Sequence, residues 1–295
     1  MSGLYVVATD LYPSSRQGAA VAAALARRTG AELDFFCAVP RDLVDAGALE
    51  GLLTTVREEV SALAASHAGE HVRTSAHVAV VRDVAQALHD RAEGAGAELV
   101  VVAPQGATGW KKLVFGSVTE QILRIAPRML LVARPRRPMP PEDILIAVDR
   151  SPGAGRALRH GLDLARALGS RVHVFWALRP PGALLHLREA LDSTEDFKRA
   201  RARERKTAPV FDEWVRGYDT SGLEVTTRVE EGDAAQTILL RARLAHASPI
   251  VMGMPGKSRA AEILVGSVAR QVATAATQSV LLVRDRPPKR PARRG

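Results

Sequence analysis

The chain repeats itself, and the repeat decides most of what it can fold into. Leu4-Tyr5-Val6-Val7-Ala8-Thr9-Asp10, an apolar run closed by an aspartate, returns as Ile144-Leu145-Ile146-Ala147-Val148-Asp149. Each run leads through a proline-bearing turn (Pro13, Pro152) into an alanine- and leucine-rich helical stretch that stops on glycine, Ala19 to Gly30 and Ala154 to Gly169. Further apolar runs follow at 31–39 and 171–178. Near the end of each copy, 98–103 matches 249–253, Gly116-Ser117-Val118 matches Gly266-Ser267-Val268, and Leu130-Leu131-Val132 matches Leu281-Leu282-Val283. The offset is 139 at the aspartates and 150 at the Gly-Ser pairs, so the second copy has gained about eleven residues, placed in the charged helix around 182–216. A duplication sets the domain count without knowledge of the fold. At 295 residues the chain holds two copies of a size that buries a core.

Within each copy, short continuous apolar runs alternate with helical periodicity, the pattern of parallel strands covered on both faces by crossover helices. The reading is α/β: two tandem open parallel-sheet domains of a Rossmann-like, doubly wound kind, each with five strands and four helices. Strands are expected at 3–9, 31–39, 72–81, 98–103 and 128–133, then at 143–149, 171–178, 223–229, 249–254 and 279–283. Arg134-Pro135-Arg136-Arg137-Pro138-Met139-Pro140-Pro141 removes backbone donors and restricts the residues before each proline, so it is read as the linker. The boundaries are 1–134, a 135–142 linker, 143–286, and a 287–295 basic tail. Because 128–133 and 279–283 would otherwise be exposed edges, the halves are expected to pack as an internal pseudo-twofold dimer, with a homodimer of whole chains left open.

The formal charge of +9 suggests nucleic acid until it is located. Residues 284–295 contribute +5 and 134–141 contribute +3, so the domains are nearly neutral and both basic segments are read as solvated, proline-rich chain. No aromatic residues interleave with them to stack bases, and nucleic acid is not the expected partner. No run approaches the roughly 18 apolar residues of a membrane span, so a membrane is not expected either. The single cysteine, Cys37, lies in an apolar run and is read as a buried strand residue. One cysteine and no export pattern at the start suggest the cytoplasm.

Open parallel sheets bind ligands beyond the carboxyl ends of their strands, which gathers Asp10, Asp149 and the loops after 103 and 254. The second of these loops has a phosphate logic. A strand runs into Gly253-Met254-Pro255-Gly256, and nine residues later Gly266-Ser267 opens a helix. Glycines admit close backbone approach, and the free amides and dipole of a helix start suit phosphate oxygens. Ser267 adds a hydroxyl there, whether as cap or as donor. Gly256-Lys257-Ser258 is not a Walker A loop, since Val251 stands where its first glycine belongs. Gly153-Ala154-Gly155 is not a dinucleotide fingerprint, since Leu158 fills the third small position.

The spacing G-x-x-G, nine residues, G-[S/T], carried by Gly253, Gly256, Gly266 and Ser267, resembles the ATP-binding signature of universal stress proteins. The first strand ending in Asp149 and the tandem arrangement fit that family too, and the resemblance spans essentially the whole chain. It implies ATP as the ligand, with Mg²⁺ possible, held by Ala147, Val148, Asp149 and Ala177 around the adenosine and by Met252, Gly253, Gly256, Gly266, Ser267 and Val268 around ribose and phosphates. In the first copy the corresponding positions are Thr9, Asp10, Ala38, Ala103, Gly106, Gly116, Ser117 and Val118. That copy departs from the signature, with Ala103 in place of a glycine and Gly109-Trp110 putting a large ring in the loop.

Catalysis needs a nucleophile with a base in reach, and no such constellation is visible. The eight histidines are scattered, and the nearest pair, His67 and His71, is read as solvated. Asp149 is a ligand acceptor or, in Asp149-Arg150-Ser151-Pro152, a turn former. The leading expectation is an ATP-binding, nucleotide-dependent regulator in stress response with at most slow hydrolysis. The alternatives are a non-nucleotide interaction module and a nucleotide hydrolase or transferase.

Overall fold

Strands form where the chain offers short runs apolar on both faces, and helices where small and apolar residues return every three or four positions. The computed structural model describes residues 3–43, 49–103, 121–123, 128–134, 140–180, 194–254 and 266–284. The first half contains β1 (Leu4–Ala8), α1 (Pro13–Thr29), β2 (Glu32–Pro40), α2 (Leu49–His67), β3 (Thr74–Val81), α3 (Val84–Gly94), β4 (Leu99–Val102) and β5 (Met129–Val132). The second repeats the order: β6 (Asp143–Ala147), α4 (Pro152–Leu168), β7 (Arg171–Leu178), α5 (Thr194–Arg216), β8 (Val225–Glu231), α6 (Ala234–Leu244), β9 (Ile250–Gly253), α7 (Ser267–Ala275) and β10 (Val280–Val283). All ten expected strands are present. Of the fourth helix expected in the first half, the described residues 121–123 are helical.

The punctuation follows local chemistry. Gly30 and Gly169 end α1 and α4 at φ +70°, where a left-handed residue lets the cap N–H bond back to Ala26 and Ala165. Asp83 and Asp233 cap α3 and α6 by accepting from the amides of Gln86 and Gln236. The offset between copies is 139 at the starts of β2 and β7 and 149 at the ends of α2 and α5. The inserted residues therefore fall where the charge pattern placed them, around the longer α5.

The ten strands form one sheet, in the order β3-β2-β1-β4-β5-β10-β9-β6-β7-β8. Pairing is parallel within each half and antiparallel at the seam, where Val280, Leu281, Leu282 and Val283 face Val132, Leu131, Leu130 and Met129. The two strands read as edges thus cover each other, and the pairing is the pseudo-twofold contact expected of the halves. Their side chains are buried on both faces, each worth about 2 kcal/mol against exposure. One face of the sheet packs against α1, α2, α4 and α5 through a core that includes Phe35, Leu63, Leu158, Leu162 and Phe211. The other packs against α3, α6 and α7 through Leu88, Ile238 and Val272.

Three sequence expectations need correction. Arg134 and Arg284, assigned to solvated linker and tail, are buried at the seam. Each follows a seam strand and finds backbone carbonyl acceptors across it, so proline-rich surroundings did not keep these side chains in water. His67, read as solvated, stacks on Phe35 with ring centroids 5.8 Å apart and planes 7° from parallel, and burial holds its pKa below the usual histidine range. Other histidines are tied to carboxylates: His77 to the fully buried Asp34 and His173 to Asp143. Cys37 is buried as expected, and desolvation, with the Asp10 charge nearby, pushes its thiol up to about 11, so it stays protonated at neutral pH. No helix among the described residues is long and apolar enough to cross a membrane.

Candidate functional site

In the second half, β6 stops at Ala147, but Val148 still donates to Phe175 O at 2.9 Å and keeps the next residues against β7. The chain then breaks sharply. Arg150 takes φ +62°, Asp149 Oδ1 accepts from Ser151 N at 3.0 Å, and Ser151 Oγ accepts from Ala154 N at 3.2 Å. This Asx turn feeding an N-cap confirms the turn chemistry read at Asp149 and places its exposed carboxylate at the mouth of the β6–β9 crevice. The first half builds the same corner, with Leu11 at φ +64° and Asp10 Oδ1 accepting from Tyr12 N at 3.1 Å.

Beyond the carboxyl ends of β6, β7 and β9 lies a cavity of about 760 Å³. Ala147, Val148, Asp149, Ala177, Met252, Gly253, Gly266, Ser267 and Val268 all line it. Every second-half position named from sequence that is among the described residues is therefore brought together; Gly256 lies outside them. The order β10-β9-β6-β7 explains the convergence, because β6 leads on toward β7 and β9 leads on toward β10, in opposite directions, leaving a crevice between their loops.

Two features give the cavity a chemical direction. First, α7 begins at Gly266 with no side-chain cap, whereas α4 and α6 are capped by Ser151 and Asp233. Among the described residues no side chain caps the first amides of α7, and the helix dipole favours negative charge there. Second, Gly253 lies hard against the α4 N-terminus. A Cβ on Gly253 would sit 2.8 Å from Gly153 C and O and 3.2 Å from Ala154 N, so only glycine permits this approach of β9 to the start of α4.

The topology also supplies walls that no motif announced. Trp176, Leu178, Arg179, Arg156 and Ile238 line the cavity. Trp176 packs on Phe211 at 5.5 Å between centroids, Phe211 on Trp214 and Trp214 on Tyr218, while the Arg150 guanidinium lies 5.8 Å from the Trp176 ring centre. Its place at the end of the run Val172-His173-Val174-Phe175-Trp176 was the available signal, but a tryptophan ending an apolar strand reads as core.

In the first half, Asp10 and Ala38 stand at the ends of the adjacent strands β1 and β2, and Ala103 follows β4, which pairs with β1 on its other side. Thr9 is buried, with its hydroxyl 3.2 Å from Ser15 Oγ. Ala103 is packed tightly: a Cβ on Gly18 would come within 3.0 Å of the Ala103 Cβ. Cys37 stands where the second half has Trp176, so that ring has no counterpart at this strand position. Gly106, Gly116, Ser117 and Val118, with Trp110, lie outside the described residues.

The chain is thus a doubly wound α/β sheet, duplicated and joined edge to edge, with a helix start facing a crevice at the strand ends. The model of the universal stress protein family matches residues 5–134 and again 141–284, and the chain belongs to that family. A universal stress protein from Mycolicibacterium smegmatis is 26% identical over 206 residues, covering 69% of this chain and 66% of that protein. A solved protein of unknown function from Pseudomonas aeruginosa superposes with a TM-score of 0.65 at 20% identity, covering 95% of this chain and 92% of that one. A universal stress protein from Archaeoglobus fulgidus gives 0.64 at 18% identity, covering 95% and 98%.

Proposed function

We propose that the second-half cavity binds an adenine nucleotide, ATP with Mg²⁺ as the leading candidate, and that the chain works as a nucleotide-dependent regulator in stress response, in the cytoplasm. The observation that carries this reading is the uncapped start of α7 facing the same cavity as the Asp149 carboxylate. One end offers amides to phosphate oxygens, the other an acceptor to hydroxyl or amino groups, and apolar walls between them suit a base. A cavity of about 760 Å³ lies in the range of small-ligand sites. The residues present fit the group, since Ala147, Ala177 and Gly253 leave room where larger side chains would fill it. Mg²⁺, when carried in with the phosphates, would neutralise part of their charge.

Among the described lining residues, Asp149 is the one carboxylate and there is no histidine or lysine. Asp149 is thus the one described wall residue able to act as a base, and the reading is retention of nucleotide with at most slow hydrolysis. In the first half, Ala103 stands where the signature has glycine and Cys37 where the second half has Trp176, and no nucleotide is proposed for it. Mass spectrometry of ligand released by denaturing the purified chain tests the reading. An adenine nucleotide is expected, and a different small molecule at stoichiometric amount would overturn it.

A further inference from the structure

Two arginines fasten the seam from opposite sides. Arg134, directly after β5, and Arg284, directly after β10, are each only 6% exposed. Arg134 reaches into the second half: Nη2 donates to Ala273 O at 2.6 Å, Nη1 to Gln278 O at 3.4 Å, and its backbone N–H to Ser279 Oγ at 2.9 Å. Arg284 makes the reciprocal crossing. Its Nη2 donates to Leu123 O at 2.9 Å and its backbone N–H to Arg128 O at 2.8 Å, while the same Nη2 lies 3.9 Å from Met254 Sδ.

Both contacts end on elements that wall the cavity. Ala273 is in the last turn of α7, a nine-residue helix whose first residues, Ser267 to Ala269, line the cavity at its other end. That helix is roughly 13 Å long, short enough to move as one body. Its final carbonyls have no donor within the helix, and a guanidinium there both satisfies one and complements the negative end of the dipole. Met254, touched by Arg284, lines the cavity where the chain leaves β9. The helix that points its amides into the second-half cavity is therefore pinned at its far end by a residue of the first half.

We propose that Arg134 is a positioning residue of the second-half cavity, so that the first half, though assigned no nucleotide itself, sets the aim of the phosphate-facing amides. This rests on the nucleotide reading. Losing Arg134 leaves the cavity walls chemically intact and lets α7 shift or tilt by fractions of an ångström. Contacts to phosphates would suffer, and contacts to the nucleoside at the β6 and β7 ends would not.

Calorimetric titration of the full chain with ATP and with adenosine, using Arg134→Gln and Arg134→Lys, tests this. Arg134→Gln is expected to weaken ATP about ten-fold while adenosine changes less than about two-fold. Arg134→Lys, which keeps a cationic donor but not the fork, should fall between. Parallel losses for both ligands, or unchanged ATP affinity in folded Arg134→Gln, would overturn the proposal; if the glutamine variant does not fold, the lysine variant carries the same comparison. Hydrogen exchange without ligand separates this idea from the nucleotide reading. Faster exchange at the Arg270 to Val272 amides in the variant supports the coupling even if the wild type binds no nucleotide. Unchanged exchange there refutes it.

Discussion

Gly253→Val is expected to abolish binding at the second-half cavity and to cost about 1–3 kcal/mol of stability, through forced overpacking. The neighbours that a Cβ would meet are backbone atoms of Gly153 and Ala154 rather than side-chain tips, so no rotamer change can relieve the contact. Either β9 withdraws from α4 or the first turn of α4 moves. Both displace parts of the cavity, since Gly253, Gly153 and Ala154 all line it. Urea unfolding followed by circular dichroism gives the stability change, and titration with ATP gives the loss of binding. A variant as stable as the wild type, binding as tightly, would show that the close approach of β9 to α4 does not matter.

The second large effect is expected far from the cavity. Asp34 on β2 is fully buried and takes three side-chain donors: Arg91 Nε at 2.6 Å, Ser75 Oγ at 2.9 Å and His77 Nδ1 at 2.6 Å. Burial alone would raise its pKa, but the hydrogen bonds from Arg91, His77 and Ser75, with the Arg91 charge, overcome this and hold the carboxyl below the usual range. Asp34→Ala leaves Arg91, itself only 30% exposed, without its carboxylate partner, and is expected to cost about 3 kcal/mol at pH 7. The sign of the pH dependence follows. A carboxylate whose folded pKa is depressed stabilises the fold above its unfolded pKa, about 4, and that contribution is lost as pH falls through the folded value. Wild type and Asp34→Asn should therefore differ most near neutrality and converge as the pH is lowered below about 4. A constant gap across that window would contradict the assignment.

Most of the architecture was readable because its causes are local. Runs such as Leu99-Val100-Val101-Val102 and Leu130-Leu131-Val132 have no polar face, and a strand of that kind has to lie between two helical layers. The seam followed from the same fact, since two apolar end strands had to find cover. The second-half site was legible because glycine and serine positions and a strand-ending aspartate encode backbone geometry directly. What was missed depends on contacts distant in sequence. Nothing around Arg134 reveals that Ala273 O and Gln278 O, 139 and 144 residues on, will take its protons. Trp176 becomes a cavity wall only because β7 ends beside the crevice and α5 brings Phe211 behind the ring. Asp34, an acid inside an apolar run, carried a signal, but its partners lie on β3 and α3 and appear only once the sheet is assembled.

We propose an adenine nucleotide in the second-half cavity and none in the first half. Calorimetric titration of the full chain with ATP and Mg²⁺ tests it most directly. Saturable binding at one nucleotide per chain, lost in Gly256→Ala and in Gly266→Ala, is the predicted result; no saturable binding, or binding that ignores both substitutions, would contradict it.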